Sequence, residues 1–239
     1  MKKLFFAILL LVFLASCDKD PAFIEARFSV LGDSYSAFEG YVYPDSNKVW
    51  RGFPTIGVTG PELMWWSLVA EKTGWTLEKN NSYSASLICN MDHEDYSEHS
   101  YIRRMNNLGN PDVIFIFGGT NDIFDEAPLG DYIYANWTEE QLCMFRPALA
   151  YLLDQLQQIY PNAKLCLLID MDLCSGGVDV SIRDAFIESM HVVANHYHVK
   201  SIDLNYIVKQ KWHPNVDGQQ SIATQILEAF LKDKEYLKH

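Results

Sequence analysis

Phe28-Ser-Val-Leu-Gly32-Asp33-Ser34-Tyr35-Ser36 is the stretch on which the reading of this chain turns. A short apolar run stops at Gly-Asp-Ser, the pattern of a buried strand that ends in a tight turn. A serine just past a strand end, opening a helix, keeps its hydroxyl exposed and has backbone N–H groups close by. Acyl-transfer chemistry needs that placement, because those N–H groups can face a developing oxyanion. The same serine can also be a plain helix N-cap, so the tripeptide alone does not decide.

Two further stretches narrow the choice. Val113-Ile-Phe-Ile-Phe-Gly-Gly119-Thr120-Asn121-Asp122 is a second apolar run broken by glycines and followed by Asn-Asp. Near the C-terminus, Trp212-His213-Pro214-Asn215 precedes a final helical pattern. In order and separation, Gly32-Asp33-Ser34, Gly119-Thr120-Asn121-Asp122 and His213-Pro214 resemble the first, third and fifth blocks of the SGNH (GDSL-type) hydrolases.

The chain opens on Lys2 and Lys3, then an almost wholly apolar Leu4 to Ala15, too short to span a bilayer comfortably. Leu14-Ala15-Ser16-Cys17 resembles a bacterial lipoprotein processing box, which implies cleavage before Cys17 and lipidation of its thiol. An ordinary signal peptide with a chance cysteine is the alternative; either one exports the protein. The expected organisation is a leader over 1–16, a lipidated N-terminus and tether over 17–25, and one hydrolase domain over 26–239. The expected location is a bacterial membrane, the outer membrane foremost, on its periplasmic or outer surface.

Loss of the leader removes two lysines and leaves 17 basic against 31 acidic residues, a formal charge of −14 on 223 residues. So acidic a surface argues against nucleic acid and against a basic membrane-docking face, so membrane contact is expected through the lipid alone. At 49% hydrophobic residues the chain can fill a sizeable core. Cys89, Cys143, Cys166 and Cys174 show no Cys-x-x-Cys spacing, so neither a zinc site nor a thioredoxin motif is indicated. Cys166 lies inside an apolar strand pattern and reads as a buried thiol. Asp92-His93-Glu94-Asp95-Tyr96-Ser97-Glu98-His99 matches no zinc signature and reads as a solvated acidic loop, and no metal or other cofactor is expected.

After Ser34 comes an aromatic segment, Phe38, Tyr41, Tyr43, Trp50 and Phe53, punctuated by Pro44, Gly52 and Pro54. It is a loop whose aromatics either wall a substrate site or pin the loop down. A helix from Trp65 to about Gly74, a strand over 75–79 and a polar turn over 80–86 follow. Thr138 and Gln141 form a possible capping box, and Pro147 splits the pattern after it into a short turn and a main helix. Strands over 164–170 and 199–204 alternate with helices over 182–195 and 219–231. The alternation predicts a parallel sheet between helical layers. The resemblance implies the flavodoxin-like version, a three-layer α/β/α sandwich on a five-stranded parallel sheet, with Ser34, Asn121 and His213 beyond the strand ends on one edge.

The resemblance also assigns roles. Ser34 is the expected nucleophile and His213 its base, since a serine hydroxyl needs a base within hydrogen-bond reach. The Ser34 N–H, the Ala85 N–H and the Asn121 amide are expected to hold the oxyanion. Ala85 stands where the family carries a glycine, and keeps the donor provided the backbone there does not need a positive φ. Asp33 is expected to brace the turn. Gln210 stands where the family places the acid that orients the histidine, so its amide oxygen is the expected partner of Nδ1. Tyr35, Asp122 and Trp212 are weaker candidates for lining the substrate. The expected activity is hydrolysis of a carboxylic ester, first a glycan acetyl ester. The alternatives are a lipase or lysophospholipase, or a glycan-binding lipoprotein without catalysis. The expected partner is a small-molecule or glycan ester.

Overall fold

The computed structural model describes residues 25–91, 98–174 and 177–233. The leader, Cys17 and the tether up to residue 24 lie outside the described residues, as does 92–97 of the acidic loop. β1 (Arg27–Gly32), β2 (Thr76–Ser82), β3 (Val113–Phe117), β4 (Lys164–Asp170) and β5 (Lys200–Leu204) form one parallel sheet in the order 2-1-3-4-5. The strand order reverses direction between β1 and β3, and sheets of this kind bind ligands outside the carboxyl ends at that point.

The sheet is covered on both faces, which is why β3 is apolar at every position and buried throughout. The two-residue period of the strands sorts their side chains between two cores. Phe28, Val30, Val113, Phe115 and Leu168 pack with Trp65 and Val69 of α1 (Trp65–Thr73) and Ile222 and Ile226 of a long C-terminal helix. Leu31, Ile114, Ile116, Leu167 and Ile169 pack against the opposite layer of helices, α2 (Tyr101–Arg104), α4 (Phe145–Ile159) and α5 (Val180–His196). Each such fully buried Val, Leu, Ile or Phe stabilises the fold by about 1.5–3 kcal/mol. A five-residue helix, α3 (Thr120–Phe124), follows β3. A two-stranded hairpin, β6 (Lys209–Gln210) with β7 (His213–Pro214), leads into the C-terminal α6 (Val216–Lys232).

Several boundaries differ from expectation for local reasons. β2 runs on to Ser82, because its polar residues find buried partners. Asn80 donates to the Ser36 carbonyl at 2.8 Å, Asn81 to the Arg104 carbonyl at 3.0 Å, and Ser82 to the Asn80 side chain at 2.6 Å. α6 starts three residues early because Asn215 caps it, accepting from the Gly218 N–H at 3.0 Å. Thr138 and Gln141 do bond reciprocally, at 2.9 and 3.2 Å, and a short turn over 141–143 precedes α4 with Pro147 in its first turn. Cys89, Cys166 and Cys174 are free thiols, and Cys166 is fully buried.

Candidate active site

Ser34 lies in the turn directly after β1 and does not open a helix. Asp33 makes that turn: its Oδ1 accepts from the Tyr35 N–H at 2.9 Å, and its carbonyl accepts from the Ser36 and Ala37 N–H groups. Two helices hold the turn from outside. Trp65 Nε1 donates to Ser36 Oγ and Trp66 Nε1 to the Ser36 carbonyl, both at 3.0 Å. Gln219 of α6, fully buried, accepts from the Trp65 N–H at 2.9 Å and donates to the Tyr35 carbonyl at 3.4 Å. The bracing role expected of Asp33 is therefore seen.

His213 reaches Ser34 across the sheet edge, with Nε2 3.0 Å from Oγ. Its Nδ1 lies 2.9 Å from the backbone carbonyl of Lys211. A carbonyl oxygen only accepts, so Nδ1 carries the proton and the Nε2 lone pair faces the serine. Here the structure corrects the sequence reading, because the Gln210 side chain is exposed. Gln210 is instead the backbone partner of His213 in the β6–β7 pair, and between them lies a two-residue loop, Lys211-Trp212. Both loop residues have positive φ, 50° and 67°, as a type I′ hairpin turn requires. That turn is tight enough to aim the Lys211 carbonyl back at the ring. The hairpin is anchored below by Lys209, whose ammonium donates to the buried Asp170 carboxylate at 2.5 Å and to the Asp172 carbonyl at 2.9 Å. Burial lowers the His213 pKa from its ordinary value, opposed by the bond to Lys211.

Asn121 enters from the first turn of α3, after Gly119 at φ +100°, where a Cβ would collide with the Met190 side chain. Its Nδ2 donates to the Ser86 carbonyl at 2.9 Å and lies 3.4 Å from Asp33 Oδ2. Ala85 stands one residue before Ser86 with φ +68°, so the position does need the left-handed conformation and the alanine carries that strain. Asp122 does not line a substrate site. It is fully buried and its carboxylate accepts from the Ile88 N–H at 3.0 and 3.1 Å and the Cys89 N–H at 3.1 Å, fixing the segment that follows Ala85. Arg104, also buried, ties the same region together by donating to the Gly32 carbonyl at 3.1 Å, Ser86 Oγ at 2.8 Å and the Asn81 carbonyl. Burial pushes the Asp33 carboxyl up to about 7 and the Asp122 carboxyl up to about 6.

Beside the pair opens a pocket of about 220 Å³ lined by Tyr35, Phe124, Cys174, Lys209 and Trp212. Tyr35 and Trp212 were expected there; Phe124, Cys174 and Lys209 were not, since nothing in their local sequence marks them. Trp212 and Phe124 meet edge to face at 5.5 Å and are 52% and 42% exposed, forming an aromatic rim. From Phe124 a second, apolar groove of about 660 Å³ runs along Ile123, Val178, Ile182 and Phe186. The aromatic loop after Ser34 is mostly pinned to the protein: Phe53 is buried, Phe38 packs on it at 5.9 Å, and Tyr41 lies on Trp66 at 5.9 Å. Trp50 is the exception, stacked on the ring of His213. Among the described residues no group of metal-binding side chains occurs.

The family profile described as GDSL-like Lipase/Acylhydrolase matches residues 26–230. A crystal structure from Bacteroides ovatus ATCC 8483, described as that of a GDSL-like lipase, is 41% identical, covers 87% of this chain and 99% of that one, and has a TM-score of 0.79. A second, from Bacteroides uniformis ATCC 8492 and described likewise, is 41% identical over 86% of this chain and 95% of that one, with a TM-score of 0.76. A family two carbohydrate esterase from Clostridium thermocellum, in complex with cellohexaose, shares the fold at 14% identity and TM-score 0.60, over 88% of this chain and 65% of that one. No curated protein matches the chain.

Proposed function

Because the chain belongs to the GDSL-like lipase/acylhydrolase family and is a carboxylic ester hydrolase, we propose that it works through a Ser34–His213 dyad and removes a short acyl group, acetyl foremost, from a glycan. The observation that carries the dyad is the 3.0 Å approach of His213 Nε2 to Ser34 Oγ with Nδ1 held by a carbonyl. As Oγ attacks the ester carbonyl, its proton passes to Nε2 and the carbonyl electrons move onto oxygen. Collapse of this tetrahedral species breaks the bond to the alcohol, which leaves with the proton from Nε2. Water, deprotonated by the same nitrogen, then attacks the acyl-Ser34 ester; collapse of the second tetrahedral species breaks the bond to Oγ, which recovers the proton from Nε2 as the acid leaves. One Nδ2 hydrogen of Asn121 is held by Ser86. The other meets only the long contact to Asp33, so an oxyanion can take it.

The short acyl group is supported by the 220 Å³ pocket, and the sugar by the exposed faces of Trp212 and Phe124 at its rim. The carbohydrate esterase among the structural neighbours supports the same reading by analogy of fold. The apolar groove beginning at Phe124 favours a second reading, hydrolysis of longer acyl esters. Rates on p-nitrophenyl esters from acetyl to long chain, together with acetate release from an acetylated oligosaccharide, separate the two. The first predicts that acetyl is fastest and that the oligosaccharide is deacetylated; fastest turnover of a long chain contradicts it.

We further propose export and anchoring through a lipid on Cys17. Cys17→Ala is expected to move the protein from the membrane to the soluble fraction, and an unchanged membrane fraction would refute the anchor.

A further inference from the structure

The His213 ring touches more than its two in-plane partners. The Trp50 indole lies flat on it, with centroids 3.6 Å apart and planes 4° from parallel. Tyr35 meets the ring at 5.6 Å and 65°, and Phe53 at 6.1 Å and 77°. Of these, only Trp50 presents its π face to the imidazole face. The stack is built in: Phe53 packs its ring against the indole at 5.0 Å and 78°, and a Cβ on Gly52 would run into the six-membered ring of Trp50. Lys211 ties the same loop to the hairpin by donating to Thr55 Oγ1 at 3.0 Å.

This arrangement answers a need that the Lys211 carbonyl leaves open. A carbonyl sets the tautomer but carries no charge to stabilise the imidazolium formed when Ser34 attacks. The nearby carboxylates are committed elsewhere: Asp33 to the Tyr35 N–H, Asp122 to Ile88 and Cys89, Asp170 to Lys209. An indole face carries partial negative charge and attracts a cation laid over it.

Resting on the dyad reading above, we propose that Trp50 is a positioning residue. It clamps the His213 ring in the plane that joins Lys211 to Ser34, and its π face stabilises the imidazolium that a carboxylate would otherwise stabilise. The interaction strengthens as charge develops, so it acts on kcat rather than on substrate affinity.

The test compares Trp50→Phe, Trp50→Leu and progressively fluorinated tryptophans at position 50, using p-nitrophenyl acetate and an organophosphate that labels Ser34. Fluorination drains the ring's negative face at nearly constant shape, so it separates charge from packing. Trp50→Leu is expected to lower kcat roughly 10- to 30-fold with KM within about twofold, and Trp50→Phe to recover most of the loss. Within the fluorinated series kcat should fall stepwise. A Trp50→Leu enzyme with unchanged kcat, a flat fluorinated series, or a rise in KM at constant kcat each overturns the proposal. The last would make Trp50 a wall of the substrate site. A wild type that takes no label at Ser34 instead overturns the dyad reading, and the proposal with it.

Discussion

Lys211 carries the most direct test of a histidine oriented by a carbonyl. Its φ of +50° lies in the left-handed region, the first of two such residues in the Lys211-Trp212 loop. Proline is fixed near φ −65° and cannot occupy that position. Lys211→Pro must therefore open the loop and swing the carbonyl off Nδ1, which it meets at 2.9 Å in the native hairpin. A hydrogen bond to a charged group is worth about 1.5–3 kcal/mol, so kcat should fall roughly 10- to 150-fold. Asparagine tolerates the left-handed conformation, so Lys211→Asn keeps the carbonyl in place and loses only the exposed contact to Thr55. Its kcat should stay within about twofold of wild type. The assay is kcat and kcat/KM on p-nitrophenyl acetate, with folding checked by circular dichroism and thermal unfolding. Equal rates for a folded Lys211→Pro and the wild type would refute the reasoning. So would a large loss in Lys211→Asn.

Gln210→Leu is expected to leave kcat within about twofold, because its exposed side chain does not hold the ring; a loss of tenfold or more on the same ester would restore Gln210 to the site. His213 acts as a base only when neutral, and burial lowers its pKa, so the acidic limb of the kcat/KM profile should lie below the ordinary imidazole value of about 6.5. A limb centred above 7 would contradict this. Asp33 and Asp122 are raised to about 7 and about 6 in the folded state, so the native protein binds more protons than the unfolded chain between those values and the ordinary carboxylate pKa. Stability should then increase as pH falls from 8 to 5, by at least about 1 kcal/mol in urea unfolding, and a fall over that window would show that these carboxylates are not buried as described.

The sheet was legible because both of its faces are covered. Val113 to Phe117 and Lys164 to Asp170 read as strands directly, since burial on two sides demands an unbroken apolar run. The far end of β2 is not legible, because Asn80, Asn81 and Ser82 look like a turn, and only contacts with Ser36 and Arg104, distant in the chain, allow them in a strand. The candidate dyad was readable from the serine after β1 and the histidine ahead of the last helix. Its orienting group was not, because a backbone carbonyl has no letter in the sequence. The turn that presents it uses Lys-Trp where Asn-Gly would have announced a hairpin. The role of Asp122 is hidden for a similar reason: its partners, the N–H groups of Ile88 and Cys89, lie more than thirty residues away. Trp50 stood out only as one of several aromatics, and its stack on His213 depends on how the loop folds back over Gly52.

Mass mapping of an organophosphate adduct on wild type, Ser34→Ala and His213→Ala tests the dyad itself. The dyad predicts a single adduct on the Ser34 peptide of the wild type, none in Ser34→Ala, and labelling slowed by at least about a hundredfold in His213→Ala. An adduct on another serine, or an unchanged labelling rate without His213, would contradict it.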